Sequence, residues 1–141
     1  TLVYANGDRY VGQFRHDHKH SEGTLYHHDG KIYKGQFQNG HKHGQGVERY
    51  PDGAVYEGTF VEGDKHGKGR YKFSDGALYE GEFKNNLRDG HGTYTYPNGI
   101  RYAGEYKADI RHGLGRVIYP DGRVLEVRFE NGKMVAIPER E

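Results

Sequence analysis

A basic residue recurs every 23 positions along the chain, as Lys19, Lys42, Lys65, Arg88 and Arg111. Beside it runs a second column, His20, His43, His66 and His112, with Asp89 completing the series. Evenly spaced cations suit anionic lipid headgroups, each contributing about 1 kcal/mol near a charged surface. Imidazoles and a carboxylate suit zinc. If successive repeats lie two strand spacings apart, column members are about 9.6 Å from each other. The cations then form a stripe roughly 40 Å long, expected along a loop edge of the fold. That separation is too wide for neighbours in a column to share one ion at bond lengths of ~2 Å. A zinc site would need His18 with His20, His41 with His43, or side chains from a second molecule. No cofactor is expected beyond adventitious or interface zinc.

Covalent catalysis finds no support. Ser21 and Ser74 are the serines of the chain, and neither lies in a nucleophile-elbow motif. No phosphate-binding GxxxxGK[ST] loop occurs. The absence of cysteine excludes disulfides and thiolate metal sites. A net charge of +1, from 21 Lys and Arg against 20 Asp and Glu, argues against a general nucleic-acid binder. No run of 18 apolar residues is present to form a membrane-spanning helix.

The elements that must position these columns are short strands. Mean hydropathy is −1.07 and only 33% of residues are hydrophobic, with the apolar material concentrated in 13 Tyr and 6 Phe among 23 Gly. Gly7, Gly30, Gly53, Gly76, Gly99 and Gly122 fall 23 residues apart, each preceded by Asn or Asp. Tyr10, Tyr33, Tyr56, Tyr79 and Tyr102 keep the same period, with Gly12 and its equivalents two residues on and Phe14 and its equivalents two further. A Y-x-G-x-F run alternates with period two, as a strand with one aromatic face requires. A second strand is read in Arg70–Phe73 and Thr93–Tyr96, and the H-G-x-G segment before it as a loop. Asp-Gly or Asn-Gly closes one turn. The other uses Asn39-Gly40 and Glu62-Gly63, with Asp17, Asn86 and Asp109 in the glycine place, where φ > 0 is tolerated. A glycine inside a strand marks a close approach, so a ring from the neighbouring strand is expected across each one.

No segment has a 3.6-residue period, and no helix is expected to cover the sheet. The fold class is therefore all-β, an elongated single-layer twisted antiparallel sheet of stacked 23-residue β-hairpin repeats. Residues 1–141 form a single array: a half-repeat over 1–6, full repeats over 7–29, 30–52, 53–75, 76–98 and 99–121, and a variant repeat over 122–141. Leu2 and Tyr4 align with Tyr71 and Phe73, which implies that the array continues upstream. At the other end Leu125, Val127, Phe129, Met134, Val135 and Ile137 make an aliphatic terminus where a solenoid normally carries a polar cap. These six are the expected contact of an isologous homodimer.

The order Y-x-G-x-F, basic segment with H-G-x-G, then D-G resembles the MORN (membrane occupation and recognition nexus) repeat, most closely in Phe37–Gly46. The resemblance covers essentially the whole chain. It implies contexts ranging from junctional membrane proteins and ciliary spokes to lipid kinases and a lysine methyltransferase. The closest likeness is to the all-repeat cytoskeletal scaffolds of protozoa, which form elongated dimers through their C-terminal repeats and have been linked to phosphoinositides and zinc. The expected function is a non-catalytic scaffold of a cytoskeletal or membrane-associated assembly in the cytoplasm. It would act through homodimerisation and by binding other proteins along the sheet. Two alternatives remain open: an anionic-phospholipid module using the basic stripe, and a targeting segment of a larger enzyme.

Overall fold

A computed structural model describes residues 1–135; Ile137 of the expected dimer set lies outside them. The described residues form one 13-stranded antiparallel sheet in which sequence order and spatial order coincide. The strands are β1 (Leu2–Val3), β2 (Arg9–Arg15), β3 (His18–Tyr26), β4 (Ile32–Gln38), β5 (His41–Arg49), β6 (Val55–Val61) and β7 (Asp64–Lys72). They continue as β8 (Leu78–Lys84), β9 (Leu87–Thr95), β10 (Arg101–Lys107), β11 (Ile110–Ile118), β12 (Val124–Glu130) and β13 (Lys133–Val135). At a strand spacing near 4.8 Å the sheet extends about 58 Å across its strands. No helix and no second sheet lies over either face among the described residues.

Register explains the glycines. Gly12 pairs with Gly23, Gly23 with Gly35, and the pairing continues through Gly46, Gly58, Gly69, Gly81, Gly92, Gly104 and Gly115. Val127 ends the row against Gly115. An uninterrupted glycine track thus crosses the sheet, and the tyrosine rings lie down in it. A Cβ on Gly69 would stand 2.5 Å from Cε1 and 2.7 Å from Cζ of Tyr56. A Cβ on Gly58 would stand 2.7 Å from the Tyr56 hydroxyl. The ring over Gly58 therefore comes from its own strand and reaches across to Gly69, not from the neighbouring strand as the sequence suggested. Tyr10, Tyr33, Tyr56, Tyr79 and Tyr102 are all fully buried.

The H-G-x-G segments are strand, not loop. β3, β5, β7, β9 and β11 are each nine residues long and include them. The register shifts opposite each one, for instance between Gly58 and Phe60, which leaves Thr59 outside the β6–β7 ladder. The freed carbonyl is taken by the tyrosine: Tyr56 Oη donates to Thr59 O at 2.9 Å, and Tyr10, Tyr33 and Tyr79 repeat the bond at 2.7–2.8 Å. Burial first, and Glu48 next, push the Tyr56 hydroxyl pKa up to about 12, which keeps it a donor. In the next repeat Glu105 pairs with His112, and the buried Tyr102 hydroxyl has no partner among the described residues.

The two turns differ. Both residues of the Asn39-Gly40 turn have positive φ, 51° and 85°, the mark of a two-residue type I′ hairpin. Asp17, Asn86 and Asp109 take the glycine place at φ 65°, 72° and 74°, as expected. In the other turn the Asp or Asn side chain accepts from the backbone N–H two residues on. Asp52 bonds Ala54 at 2.9 Å and Asp75 bonds Ala77 at 2.8 Å. That bond explains why an Asx residue precedes every periodic glycine there.

Gly69→Ala is expected to lower unfolding free energy by about 1–3 kcal/mol, because the methyl must displace a buried ring. Tyr56→Phe is expected to cost about 1 kcal/mol through the carbonyl it leaves unpaired. Urea titrations with an unchanged m-value check both.

A cation-studded aromatic face

Alternation places every Tyr and Phe of the Y-x-G-x-F runs on one face. Ten edge-to-face contacts link Phe14, Tyr10, Phe37, Tyr33, Phe60, Tyr56, Phe83, Tyr79, Tyr106, Tyr102 and Phe129 in one chain, with centroids 5.0–5.9 Å apart. Such pairs contribute about 0.5–1.5 kcal/mol beyond the area they bury. A second rank comes from the partner strands and the turns. Tyr50, Tyr71, Phe73, Tyr94 and Tyr96 touch in series at 4.7–5.7 Å. The first rank is mostly buried; the second rank stays half-exposed.

The basic column lies on this face and not on a loop edge. Lys19, Lys42, Lys65, Arg88 and Arg111 sit on β3, β5, β7, β9 and β11, paired with Phe14, Phe37, Phe60, Phe83 and Tyr106. Their register directly opposite a ring turns each stem onto the aromatic surface. Lys42 ion-pairs with Glu48 at 2.5 Å, and Arg88 Nε with Asp109 at 2.6 Å. Lys19 Nζ donates to Tyr4 Oη at 2.8 Å, and Arg111 to Tyr96 Oη at 2.5 Å. Among the described residues the Lys65 ammonium meets rings, 5.3, 5.4 and 5.8 Å from the centroids of Tyr50, Tyr56 and Tyr71.

Glu48 is a residue the periodic pattern did not single out. It occupies the column of Leu25, Tyr71, Tyr94 and Val117, opposite the first-rank tyrosine of its hairpin. It is the buried charged residue of the described chain, 3% exposed. Tyr50 Oη donates to its second oxygen at 2.6 Å. Burial pushes the Glu48 carboxyl up, but Lys42 and the Tyr50 hydroxyl outweigh it, and its pKa falls below the ordinary value. Lys42 is also lowered, by burial that Glu48 only partly offsets. One repeat earlier, His27 stands where Tyr50, Phe73 and Tyr96 stand, with Nε2 buried and unpartnered.

His18 and His20 lie on β3, His41 and His43 on β5. No group of three or more metal-ligating side chains converges among the described residues. In the dimer set, Val127 and Phe129 are only 3% and 8% exposed, and Phe129 stacks on Tyr102 at 5.3 Å. Leu125 and Met134 are 49% and 66% exposed. The terminal set is therefore split: Val127 and Phe129 complete the protein's own core, while Leu125 and Met134 stay exposed. The opposite face of the sheet carries a shallow furrow over Gly58, Gly69 and Gly81. Its walls mix Glu57, Glu80 and Glu82 with Lys68, Arg70 and His91, so no charge predominates.

The family model of the MORN repeat matches residues 10–32, 33–55, 56–78, 79–101 and 102–122 in succession. The chain belongs to the MORN repeat family. MORN repeats form a non-catalytic family of protein- and membrane-binding modules, associated with membrane or cytoskeletal proteins. No curated protein sequence matches the chain. Among solved structures it is similar to the SAS-4 TCP domain of Drosophila melanogaster in complex with a proline-rich motif of Ana2. That match has 12% identity over 88% of this chain and 79% of the other, at a TM-score of 0.38. It is also similar to a catalytically inactive virginiamycin B lyase from Staphylococcus aureus with quinupristin, at 20% identity over 92% of this chain and 40% of the lyase, with a TM-score of 0.22. Neither likeness carries an argument about this MORN array. No helix of the described residues is long and apolar enough to cross a membrane.

Glu48→Leu is expected to destabilise the array by about 3–5 kcal/mol, since Lys42 then stays buried without its partner. Lys42→Met combined with Glu48→Leu should recover most of that loss, as measured by a double-mutant cycle in urea. Because the folded pKa of Glu48 lies below its unfolded value, its contribution is present above the ordinary carboxylate range and lost as pH falls through the folded value. The wild type should therefore lose more stability on acidification than the double variant.

Proposed function

We propose that this MORN array is a non-catalytic scaffold of a cytoskeletal or membrane-associated assembly. It holds a partner protein along the aromatic face and a second copy of itself at its last hairpin. The observation that carries the first part is the second rank of rings. Tyr50, Tyr71, Phe73, Tyr94 and Tyr96 support one another yet remain half-exposed. A partner that covered them would gain about 25 cal/mol per Å² of apolar surface removed from water.

Pairing with a second copy draws on the apolar side chains that internal packing leaves over. Leu125 and Met134 belong to the aromatic face at its C-terminal end, Leu125 opposite Val117 and Met134 opposite Phe129. β13 has three residues, and its outer edge has no partner strand among the described residues. Contact through Leu125 and Met134 would continue the aromatic face into the second molecule, with Val135, opposite Arg128, on the other face. Binding to anionic headgroups through Lys19, Lys42, Lys65, Arg88 and Arg111 is less well supported. These cations lean on rings, and carboxylates already hold two of them.

Phe73→Ser, whose ring lines the half-exposed rank, should abolish retention of partner proteins in affinity capture. Arg70→Ser on the opposite face should leave it intact. Leu125→Glu with Met134→Glu should convert a dimeric mass to a monomeric one by light scattering with little change in melting temperature. A wild-type monomer, or an unchanged dimer, removes the second-copy contact. Pelleting of the wild type with phosphoinositide vesicles at physiological ionic strength would favour the lipid alternative.

A further inference from the structure

The five cations of the aromatic face fall into two classes. Lys42 and Arg88 are neutralised by Glu48 and Asp109. Lys19, Lys65 and Arg111 have no carboxylate partner among the described residues, only hydroxyls and rings. The unneutralised three alternate with the neutralised two. They stand on β3, β7 and β11, four strand spacings apart, or about 19 Å. The half-exposed rank of rings runs along the same face, so an apolar surface carries excess positive charge at regular stations.

Lys65 is the central station. Its ammonium offers three hydrogen-bond donors, and none meets a protein acceptor among the described residues. Beside it lies a cavity of about 250 Å³, lined by Lys65, Tyr71, Phe73, Asn86, Arg88 and Asp109. Arg88 and Asn86 on that wall are already engaged. Arg88 Nε and a terminal nitrogen bond Asp109 at 2.6 and 3.0 Å. Asn86 donates to Asp64 at 2.7 Å and accepts from the Lys65 backbone N–H at 2.9 Å. The cavity is below the usual range of small-molecule pockets, about 300–1,000 Å³, and has the scale of one side chain. Lys65 offers a single positive charge, which one carboxylate balances and a phosphate carrying nearly two charges exceeds.

The geometry points to a pocket for an acidic side chain, in which Lys65 pairs with the carboxylate of an Asp or Glu from a partner polypeptide laid along the aromatic face. This assignment rests on the aromatic face being the protein-binding surface. Lys19 and Arg111 supply flanking stations for further carboxylates. An extended chain rises about 3.3 Å per residue, so acidic residues about six positions apart meet successive stations. Apolar or aromatic residues between them cover the second rank of rings. Burial pushes the Lys65 pKa down, with Glu48 partly offsetting it. An incoming carboxylate would oppose that shift.

A random-peptide display library, selected in parallel on the full chain and on its Lys65→Met variant, tests the assignment. Selection on the wild type is expected to enrich peptides with Asp or Glu about six residues apart, flanked by aromatic or aliphatic residues. Synthetic versions should lose about tenfold to hundredfold in affinity on Lys65→Met, regain it on Lys65→Arg, and lose as much when the central Glu is replaced by Gln. The Glu→Gln arm uses wild-type protein and is immune to any folding defect of a variant. Enriched peptides that need Phe73 but lack an acidic position, or ignore Lys65→Met, overturn the carboxylate pocket and leave the aromatic face as a binding surface. Failure to enrich any peptide sensitive to Phe73→Ser overturns both. Phosphoinositide vesicles that bind through Lys65 and displace the selected peptides overturn the pocket in favour of a headgroup site.

Discussion

The whole molecule depends on how a sheet without a second layer keeps its tyrosines dry. In an ordinary β-sandwich the facing sheet covers the inner side chains. Here nothing faces them, and each ring is buried by lying flat in the backbone of its own sheet. That is feasible only where two adjacent strands carry no Cβ. The paired glycines make the trench, the tyrosine fills it, and its hydroxyl caps the carbonyl freed by the register shift. Because every ring also meets an aromatic ring of the next hairpin edge to face, Tyr106 for Tyr79 and a phenylalanine for the others, each repeat finishes burying its neighbour. Stability is thus passed between neighbours, as in other quasi-one-dimensional repeat folds.

The same constraint produces the binding face. Rings confined to the trench leave room above them for the stems of the basic column and for a second rank of aromatic side chains. The cations reduce their own desolvation by sitting over ring faces. The arrangement yields an amphipathic platform, apolar enough to reward coverage and positive enough to select what covers it. Excess charge sits where the repeat provides no carboxylate. Glu48 is the exception that neutralises one station from within the apolar column, and the Asp109 turn neutralises another.

Much of this was legible in the sequence. Gly12, Tyr10 and Phe14 with their equivalents fixed the period, the strand and its face, and Asn39-Gly40 the hairpin. Their reach ended where pairing across strands decides the outcome. The sequence does not show that Gly58 and Gly69 face each other and share one ring, which reaches Gly69 from the neighbouring strand but Gly58 from its own. The H-G-x-G segments resemble a loop because their first glycine has positive φ, 73° at Gly67, yet the ladder runs through them with a bulge. With those segments taken as loop, the cations were placed at an edge instead of over rings. Val127 and Phe129 looked like surplus apolar residues because their partners, Gly115 and Tyr102, are a strand or more away. Glu48 was visible as a break in the column of Leu25 and Tyr71, a signal that periodic alignment can recover.

Small-angle scattering on the monomeric species, selected by measured mass, tests the single-layer claim most directly. A slab about 58 Å by 28 Å by 10 Å, from the strand count, strand length and sheet thickness, has a radius of gyration of about 19 Å. A compact domain of the same length would give about 14 Å. The elongated value is the expected result. A value near the compact one, with a globular envelope, would mean that another layer covers the rings.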